Sequence, residues 1–361
     1  MTENIHIYRE LQKHLDTLPI GYPATESGVE IKLLKQLYTP EEAKIASKLS
    51  FSFESLENIY ERNDNKEMSI HDLEQLLDNS VSKGATVVKK EGNKKYYANN
   101  MFMIGIYDMQ SHRNSENLLE FWEDSSQYFK EGMDEEFLRS GICQFRVIPI
   151  EKSITLEQQI TSNDDIRKII ENVKGPIVVN DCVCRHKKDV HGEPCKQTNL
   201  RETCFVLSDI FSQIYIDQGW GRQISKEEAL EIISKTEEDG LVYEIGNSQT
   251  PGSLCCCCGC CCGYLSDMKE LPKPTEFLTS NYYAELDSEI CTGCGTCLDR
   301  CQMNALTLVD EISTVNRDNC IGCGACVPTC PTEAMNLRKK EKEIIPPKDW
   351  DALYAEILNK K

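Results

Sequence analysis

Cysteine is the residue type that could do chemistry in this sequence, because the chain contains 20 cysteines in 361 residues. All but Cys143 fall in three stretches, 182–204, 255–262 and 291–330. Thiolates at such short spacing are soft ligands that bind iron–sulfur clusters or zinc. Disulfides are the weaker alternative, because the polar N-terminal stretch has no apolar centre of a secretion signal and we expect a reducing, cytoplasmic location.

The last of these stretches contains one cysteine pattern twice. Residues 291–301 carry the spacing C-x2-C-x2-C-x3-C, and residues 320–330 repeat it, followed by a proline. The repeat continues beyond the cysteines, since Ala305 in the first copy corresponds to Ala334 in the second. Internal repetition at a fixed offset predicts two copies of one supersecondary unit.

This doubled pattern resembles the two-cluster ferredoxin domain of bacteria, in which the fourth cysteine of each run binds the other cluster. The resemblance implies two [4Fe–4S] clusters with crossed ligation. The first would be bound by Cys291, Cys294, Cys297 and Cys330, and the second by Cys320, Cys323, Cys326 and Cys301. Glycines beside these cysteines would let backbone amides approach the sulfur atoms.

One residue departs from the ferredoxin pattern. Gln302 stands where the family has a proline after the fourth cysteine. Because that proline is not a ligand, we expect an altered backbone and no loss of a cluster. Zinc is the alternative metal, but zinc ribbons use two separated C-x2-C pairs and not two runs of four cysteines.

The other two stretches contain eleven cysteines, seven of them within residues 255–262. Neighbouring side chains on an extended chain point in opposite directions, so we expect this run to lie between two centres and to supply both. The expected ligands are Cys182, Cys184, Cys195, Cys204, Cys255, Cys257, Cys258, Cys260, Cys261 and Cys262. The main interpretation is one or two further [4Fe–4S] clusters. The alternatives are a zinc or copper thiolate site and structural or redox-active thiols.

A basic segment, residues 185–188, follows Cys184. Its positive charge could lower the pKa of nearby thiols or stabilise the negative charge of a cluster. A solvated basic loop is the alternative. His186 and His191 are either metal ligands or ordinary surface histidines.

The central cysteines do not form the spaced CCG repeat of heterodisulfide-reductase-type subunits. Over most of its length the chain is similar to multi-cluster iron–sulfur proteins of strict anaerobes, which place a cysteine-rich segment before a two-cluster ferredoxin domain. That resemblance implies iron–sulfur clusters but no particular reaction, and the sequence identifies no catalytic residue.

The helix and strand patterns around these cysteines predict an α+β protein with four segments. Residues 1–150 form a winged-helix-like domain, in which helices precede a hairpin over 86–97. Residues 151–270 form a cysteine-rich α+β domain, residues 271–340 the ferredoxin domain, and residues 341–361 a helical tail.

Charge argues against nucleic acid as a partner. The net charge is −19, and residues 1–150 contain 17 Lys and Arg against 25 Asp and Glu. Phosphate binding depends on clustered basic residues, so protein docking is the better interpretation of the winged-helix-like domain. No apolar run reaches the length of a membrane span, and no Gly-x-Gly-x-x-Gly or Walker A motif is present.

We therefore predict an electron carrier that exchanges single electrons with redox partner proteins such as a reductase, a ferredoxin or a flavoprotein. One alternative is a reductase, or a subunit of one, that acts on a small substrate or a disulfide at a central cluster with an open iron site. Another is a redox-sensing winged-helix regulator, which would require DNA binding.

Overall fold

The computed structural model describes residues 4–63, 68–112, 118–154 and 161–361. Helices and strands are both present, in agreement with the predicted α+β class. The chain divides into two compact units. The first unit comprises Met1–Ser140 with Tyr354–Lys361, and the second unit comprises Gly141–Leu353. In the described part of the chain, no helix is long and apolar enough to cross a membrane.

The first unit consists mainly of helices around a small sheet. Its elements are α1 (Ile5–Leu15), α2 (Val29–Leu37), α3 (Pro40–Ala46), β1 (Glu54–Ser55), α4 (Leu56–Arg62), α5 (Ile70–Ser82), β2 (Thr86–Glu91), β3 (Lys94–Asn99), α6 (Leu118–Tyr128) and α7 (Asp134–Leu138). Strands β2 and β3 form the predicted hairpin, and β1 adds a third antiparallel strand in the order β1-β3-β2.

Local capping signals set the start of two of these helices. Thr39 and Glu42 form a reciprocal capping box at α3, and Ser69 with Asp72 forms another at α5. Such boxes satisfy backbone N–H groups that have no partner within the helix, which explains why both starts can be read from sequence.

The second unit is built on a six-stranded antiparallel sheet in the order β4-β8-β9-β6-β5-β7. Its elements before residue 270 are β4 (Phe145–Ile148), α8 (Ile166–Asn172), β5 (Ile177–Asp181), α9 (Val183–Val190), β6 (Glu202–Val206), α10 (Asp209–Gln218), β7 (Arg222–Ile224), α11 (Lys226–Glu238), β8 (Val242–Gly246), β9 (Ser253–Cys257) and α12 (Gly263–Lys269). Strand β4 lies within the segment 1–150 of the sequence analysis, yet it pairs with β8. The compact division therefore follows Ser140.

One face of this sheet packs on an apolar core, which positions the cysteines of β9. Leu254 and Cys256 belong to that core, together with Phe205 of β6 and Tyr243 of β8. Because side chains alternate along a strand, Cys255 and Cys257 lie on the other face. The sheet thus separates neighbouring cysteines onto its two faces.

The cysteines of the pattern at 291–330 lie in loops and a short helix that are connected by two small antiparallel pairs of strands. The elements of this region are β10 (Tyr282–Leu286), α13 (Thr296–Arg300), β11 (Leu306–Val309), β12 (Ile312–Val315) and β13 (Met335–Lys339), and α14 (Trp350–Lys360) follows. Strand β10 pairs with β13, and β11 pairs with β12. We call residues 282–339 the C-terminal module. The predicted segments 151–270 and 271–340 both fall within the second unit.

A buried ion pair joins the large sheet to the segment that enters the C-terminal module. Arg146 of β4 donates from Nη1 to Asp164 Oδ1 at 3.0 Å, and both side chains are only 4% exposed. Asn281 donates to the other oxygen of Asp164 at 2.9 Å. Burial lowers the pKa of Arg146 to about 10, against the opposing effect of the Asp164 charge.

Removal of Asp164 tests this arrangement. We expect Asp164→Ala to lower the free energy of unfolding by about 3 kcal/mol or more, because it leaves the Arg146 charge buried and unpaired. The matched control is Glu285→Ala, which removes an exposed ion pair with Arg338 and should cost less than about 1 kcal/mol. Urea unfolding under anaerobic conditions, followed by circular dichroism, gives both values. Equal losses in the two variants would contradict this account of the pair.

Candidate metal centre

Strand β9 and the turn that follows it supply most of the central thiols. Cys204 of β6 and Glu244 of β8 are the register partners of Cys255. The turn after β9 carries Cys258 to Cys261, and Cys262 is the N-cap residue of α12. Two separate groups of cysteines result.

The first group is compact, and we call it the four-thiol group. It consists of Cys195, Cys258, Cys260 and Cys261, whose sulfur atoms all lie within 4.8 Å of one another. Cys195 Sγ is 3.6 Å from Cys258 Sγ and 3.7 Å from Cys260 Sγ. Cys260 Sγ is 3.7 Å from Cys261 Sγ. Cys195 comes from the loop between α9 and β6, so the group joins segments that are distant in sequence.

The second group is more extended, and we call it the six-thiol group. Its members are Cys182, Cys184, Cys204, Cys255, Cys257 and Cys262. Cys204 Sγ lies 3.9 Å from Cys255 Sγ. Cys257 and Cys262 form a tighter subset with Glu244, in which the ligand atoms lie within 4.8 Å. This chain of neighbours offers more thiols than one ion needs, which suits a cluster of several metal atoms.

Glu244 is a candidate ligand that is not among the ligands predicted from the sequence. Burial, and after it the negative charge of Cys255, raise the pKa of its carboxyl to about 8. The signal for this residue was a charged side chain inside the otherwise apolar strand β8. Only the pairing of β8 with β9 places Glu244 beside these thiols, which are not its neighbours in the sequence.

Two thiols of the six-thiol group have lowered pKa values, whereas the neighbouring thiols and burial raise the pKa values of Cys182, Cys184 and Cys257. Hydrogen bonds from the thiols of Cys204 and Cys257 hold the pKa of Cys255 well below its ordinary value. Hydrogen bonds from Cys184 and Cys257 likewise lower the pKa of Cys262. A metal-binding cysteine must be deprotonated, so these two residues are prepared for ligation.

Cys195 and Cys256, which both contact the apolar core, differ in the direction of their pKa shifts. Burial opposes ionisation of Cys195, but the backbone amides of Thr198 and Gln197 and two neighbouring thiols lower its pKa to about 7. Cys256 points into the apolar core, where burial raises the pKa of its thiol to about 12. Cys256 therefore packs as a small apolar side chain.

Arg185 is a buried cation beside both thiol groups. Its side chain is 0% exposed, and it donates to Thr203 Oγ1 and, at 2.8 Å, to the carbonyl of Cys256. Burial acts to lower the pKa of Arg185, but the thiolates of Cys182 and Cys258 outweigh it and raise that pKa. The guanidinium thus offsets negative charge from both thiol groups.

Lys188 of the basic segment and the nearby His191 contact other protein groups. Lys188 pairs with Glu193 at 2.6 Å on the surface. His191 Nδ1 lies 2.7 Å from the carbonyl of Lys187. Among the residues that the structure describes, neither His186 nor His191 belongs to a compact set of ligand atoms. A role as metal ligands therefore finds no support in the geometry.

In the C-terminal module, the cysteines predicted to hold the second cluster line one cavity. These are Cys301, Cys320, Cys323 and Cys326. The amide of Ala305 donates to Cys301 Sγ at 3.2 Å, and the amide of Ala284 donates to Cys320 Sγ at 3.3 Å. Such N–H···S bonds stabilise thiolate charge and orient ligands.

The cysteines predicted to hold the first cluster have hydroxyl neighbours. Cys294 is exposed, with Thr296 Oγ1 at 3.4 Å, and Cys297 is buried, with Ser313 Oγ at 3.2 Å. Cys297 and Cys330 also pack in the core of the module with cysteines of the other set. The hydroxyl and amide of Thr296 lower the pKa of Cys294.

Glycines shape the loops around these sulfur atoms. Gly293 and Gly322 both have a positive φ, and a Cβ at either position would collide with a backbone carbonyl, of Glu311 and Tyr282 respectively. Only glycine can combine this conformation with so close an approach. The thiol-lined cavity, the N–H···S bonds and these glycine loops together fit [4Fe–4S] clusters.

Gln302 joins the C-terminal module to the central turn. The amide of Gly259, between Cys258 and Cys260, donates to Gln302 Oε1 at 2.8 Å. Gln302 Nε2 donates to the carbonyl of Gly240 at 3.2 Å. A proline could form neither bond, so the departure from the ferredoxin pattern serves the contact between the two cysteine-rich regions.

Comparison with known proteins supports the C-terminal assignment. A family model described as a 4Fe-4S dicluster domain matches residues 290–334. No curated protein and no solved structure matches the chain. The prediction of an iron–sulfur protein with [4Fe–4S] clusters at its C-terminus is thereby confirmed. The match covers only a small part of the chain, so the central ligands and the anaerobic source remain predictions.

Replacement of Gln302 tests its linking role. We expect Gln302→Leu to retain the iron of the C-terminal module and to lower the free energy of unfolding by about 1–3 kcal/mol, because it leaves the partly buried Gly259 amide without its hydrogen-bond acceptor. Gln213→Leu, at an exposed position of α10, is the control and should change stability little. Iron analysis and urea unfolding measure both effects. Iron loss from the module would show that Gln302 maintains a cluster.

Replacement of Arg185 tests its role as a counter-charge. Arg185→Met keeps much of the side-chain volume but removes the positive charge, so metal bound by the central cysteines should fall while the C-terminal clusters persist. Lys188→Met, on the same helix but exposed, is the control. Metal analysis of anaerobically purified protein and electron paramagnetic resonance (EPR) distinguish the two sites. Full retention of central metal would show that the guanidinium is not needed there.

Proposed function

We propose that this protein carries single electrons through two [4Fe–4S] clusters in its C-terminal module and through one further [4Fe–4S] cluster in the six-thiol group. The observation that carries the proposal is the match of both cysteine runs to a dicluster domain, together with a cavity lined by four cysteines from the two runs. Each cluster would supply reversible one-electron chemistry.

The residues of the module would set the reduction potentials. Backbone amides that donate to Cys301 and Cys320 favour the more negative, reduced form of a bound cluster. Burial has the opposite effect, because it removes the water that stabilises charge. The first ligand set contains the exposed Cys294, whereas Cys320 and Cys326 of the second set are buried. The two sites would therefore differ in potential.

The exposed first site is the better candidate for exchange with a partner. Large apolar side chains are exposed around it on the β11–β12 hairpin and before Cys291, namely Ile290, Leu308, Val309 and Ile312. Apolar surface of this kind is suited to transient contacts between proteins. The expected partners are a reductase, a ferredoxin or a flavoprotein with a basic docking surface, since this chain has a net charge of −19.

The six-thiol group would extend the path inside the second unit. Gln302 follows Cys301 of the second ligand set and contacts the turn between Cys258 and Cys260. That turn leads directly to Cys262, which is a member of the six-thiol group. This contact is the observation that supports a path from the C-terminal module to the six-thiol group. Free thiols in such number also favour a reducing, cytoplasmic location and an anaerobic cell.

The first unit is proposed to dock proteins through its winged-helix-like arrangement. Its helix α5 and hairpin β2–β3 follow one another as in a wing, but α5 carries Asp72, Glu74 and Asp78 and has no basic residue in its last turn. Nucleic-acid binding depends on basic residues, so a DNA-binding regulator is the less supported role.

A reductase is the second candidate function, and Glu244 is the observation that favours it. This buried carboxyl lies beside Cys257 and Cys262. An iron with an oxygen ligand exchanges that ligand more readily than a thiolate, so a small substrate or a disulfide could bind there. Glu244 would then mark the open iron site of a catalytic cluster.

The cluster content tests the proposed function directly. We expect the anaerobically reconstituted wild-type protein to contain about 12 irons per chain, and the reduced protein to show coupled S = 1/2 EPR signals from the C-terminal pair. Cys323→Ser should lose about four irons and the coupling, because one cluster of the pair is lost. Cys143→Ser, which changes a thiol outside all ligand sets, is the control.

A low iron content would contradict the proposed function. Iron far below about eight atoms per chain, with no coupled signals after reduction, would reject the electron-transfer assignment. Reduction of a small disulfide by the wild-type protein, together with loss of that activity in Glu244→Ala, would favour the reductase instead.

A further inference from the structure

The four-thiol group has the dimensions of a site for a single metal ion. A zinc–sulfur bond is about 2.3 Å long, and tetrahedral coordination at that length separates the sulfur atoms by about 3.8 Å. In the structure, the sulfur atoms are 3.6 Å apart in Cys195 and Cys258, 3.7 Å apart in Cys195 and Cys260, and 3.7 Å apart in Cys260 and Cys261. All four sulfur atoms lie within 4.8 Å of one another.

The cysteines of the C-terminal module, where a family model supports [4Fe–4S] clusters, are spaced differently. In a [4Fe–4S] cluster each thiolate binds a different iron, so the sulfur atoms must lie farther apart than they do around one ion. The eight cysteines of the C-terminal module, all of them described, include no set of three with sulfur atoms within 4.8 Å. All four thiols of the four-thiol group lie within that distance, which leaves none to bind a second iron, whereas in the six-thiol group only Cys257 and Cys262 belong to such a compact set.

We propose that Cys195, Cys258, Cys260 and Cys261 bind one Zn²⁺ ion in a closed, structural site with four cysteine ligands. Four protein thiolates fill the tetrahedral positions of zinc and leave none for a substrate, which is the arrangement of structural zinc sites. This assignment goes beyond electron transfer, because zinc is redox-inert and the group would not relay electrons.

The position of Cys195 explains what such an ion would stabilise. Cys195 lies in the loop between α9 and β6, and 63 residues separate it from Cys258. The same loop is attached to the end of α11 by Gln197, whose side chain donates to the carbonyl of Asp239 at 2.6 Å. A zinc ion would cross-link the loop to the turn after β9, much as a disulfide does in an oxidising compartment.

The negative charge of the occupied site is partly offset by a buried cation. A Zn²⁺ ion with four thiolates has two negative charges, and Cys258 and Cys261 are buried. Arg185 is fully buried close to Cys195 and Cys258, so it supplies one of the positive charges that such a buried site requires.

Metal analysis of the full-length protein tests the proposal. We expect anaerobically purified and reconstituted wild type to contain one zinc per chain beside its iron. X-ray absorption at the zinc edge should show four sulfur neighbours at about 2.3 Å and no nearby metal atom. Cys260→Ala, at the exposed cysteine of the group, should lose the zinc and keep the iron of wild type. Cys143→Ser, outside the group, should keep both.

A conservative variant distinguishes ligation from a general effect on folding. Cys260→His should retain zinc, because zinc also binds in sites with three cysteine ligands and one histidine ligand. If Cys260→Ala fails to fold, retention of zinc with one nitrogen neighbour in Cys260→His still supports the site. Loss of about four irons from Cys260→Ala, with no zinc in wild type, would overturn the proposal by showing that the group holds a cluster.

Two further outcomes are decisive. A high-spin ferric EPR signal from a single sulfur-coordinated iron, in place of zinc, would overturn the assignment to zinc. Zinc that persists unchanged in Cys260→Ala would overturn the assignment to this group. Iron content and coupled EPR signals report on the electron-transfer function separately, so failure of one proposal does not imply failure of the other.

Discussion

The pleat of strand β9 is the constraint on which the metal chemistry of this protein depends. Side chains alternate between the two faces of a sheet, so a continuous run of cysteines cannot serve one centre. Cys255 and Cys257 point to the face that carries Glu244, while Cys256 enters the apolar core with Leu254. The run then leaves the sheet, and its remaining thiols divide between the four-thiol group and the N-cap of α12.

Close packing of thiols creates a second constraint, because ionised sulfurs repel one another in a region with little water. Few positively charged side chains of the described structure offset this repulsion. Arg185 is buried between the two central groups, and Gln302 connects the central turn to the C-terminal module through uncharged hydrogen bonds. Metal ions would supply the larger part of the missing positive charge. Metal binding and folding of the central region are therefore expected to be coupled.

The two cysteine-rich regions differ in how they would hold metal. The C-terminal module relies on glycine loops and backbone N–H groups, such as the amide that donates to Cys301. The central region relies on strand register, which sets Cys204 opposite Cys255, and on one buried cation. The first arrangement is local and repeats within the module. The second needs a completed six-stranded sheet, so it forms only when distant segments have come together.

This difference also separates what the sequence determined from what only the tertiary structure decided. The doubled C-x2-C-x2-C-x3-C pattern, the capping residues Thr39 and Ser69 and the hairpin over 86–97 were all readable, because each depends on residues that are close in sequence. The sequence also predicted that the central run supplies two centres, but it did not show which cysteines belong to each of them.

Their separation depends on contacts between segments far apart in the chain. Cys195 meets Cys258 across 63 residues, and β4 joins a sheet whose other strands lie in a later predicted segment. Glu244 becomes a neighbour of Cys255 only through the pairing of β8 with β9. Local periodicity contains no information on which strands pair, because many strand orders bury the same apolar residues. The tertiary structure alone selects among them.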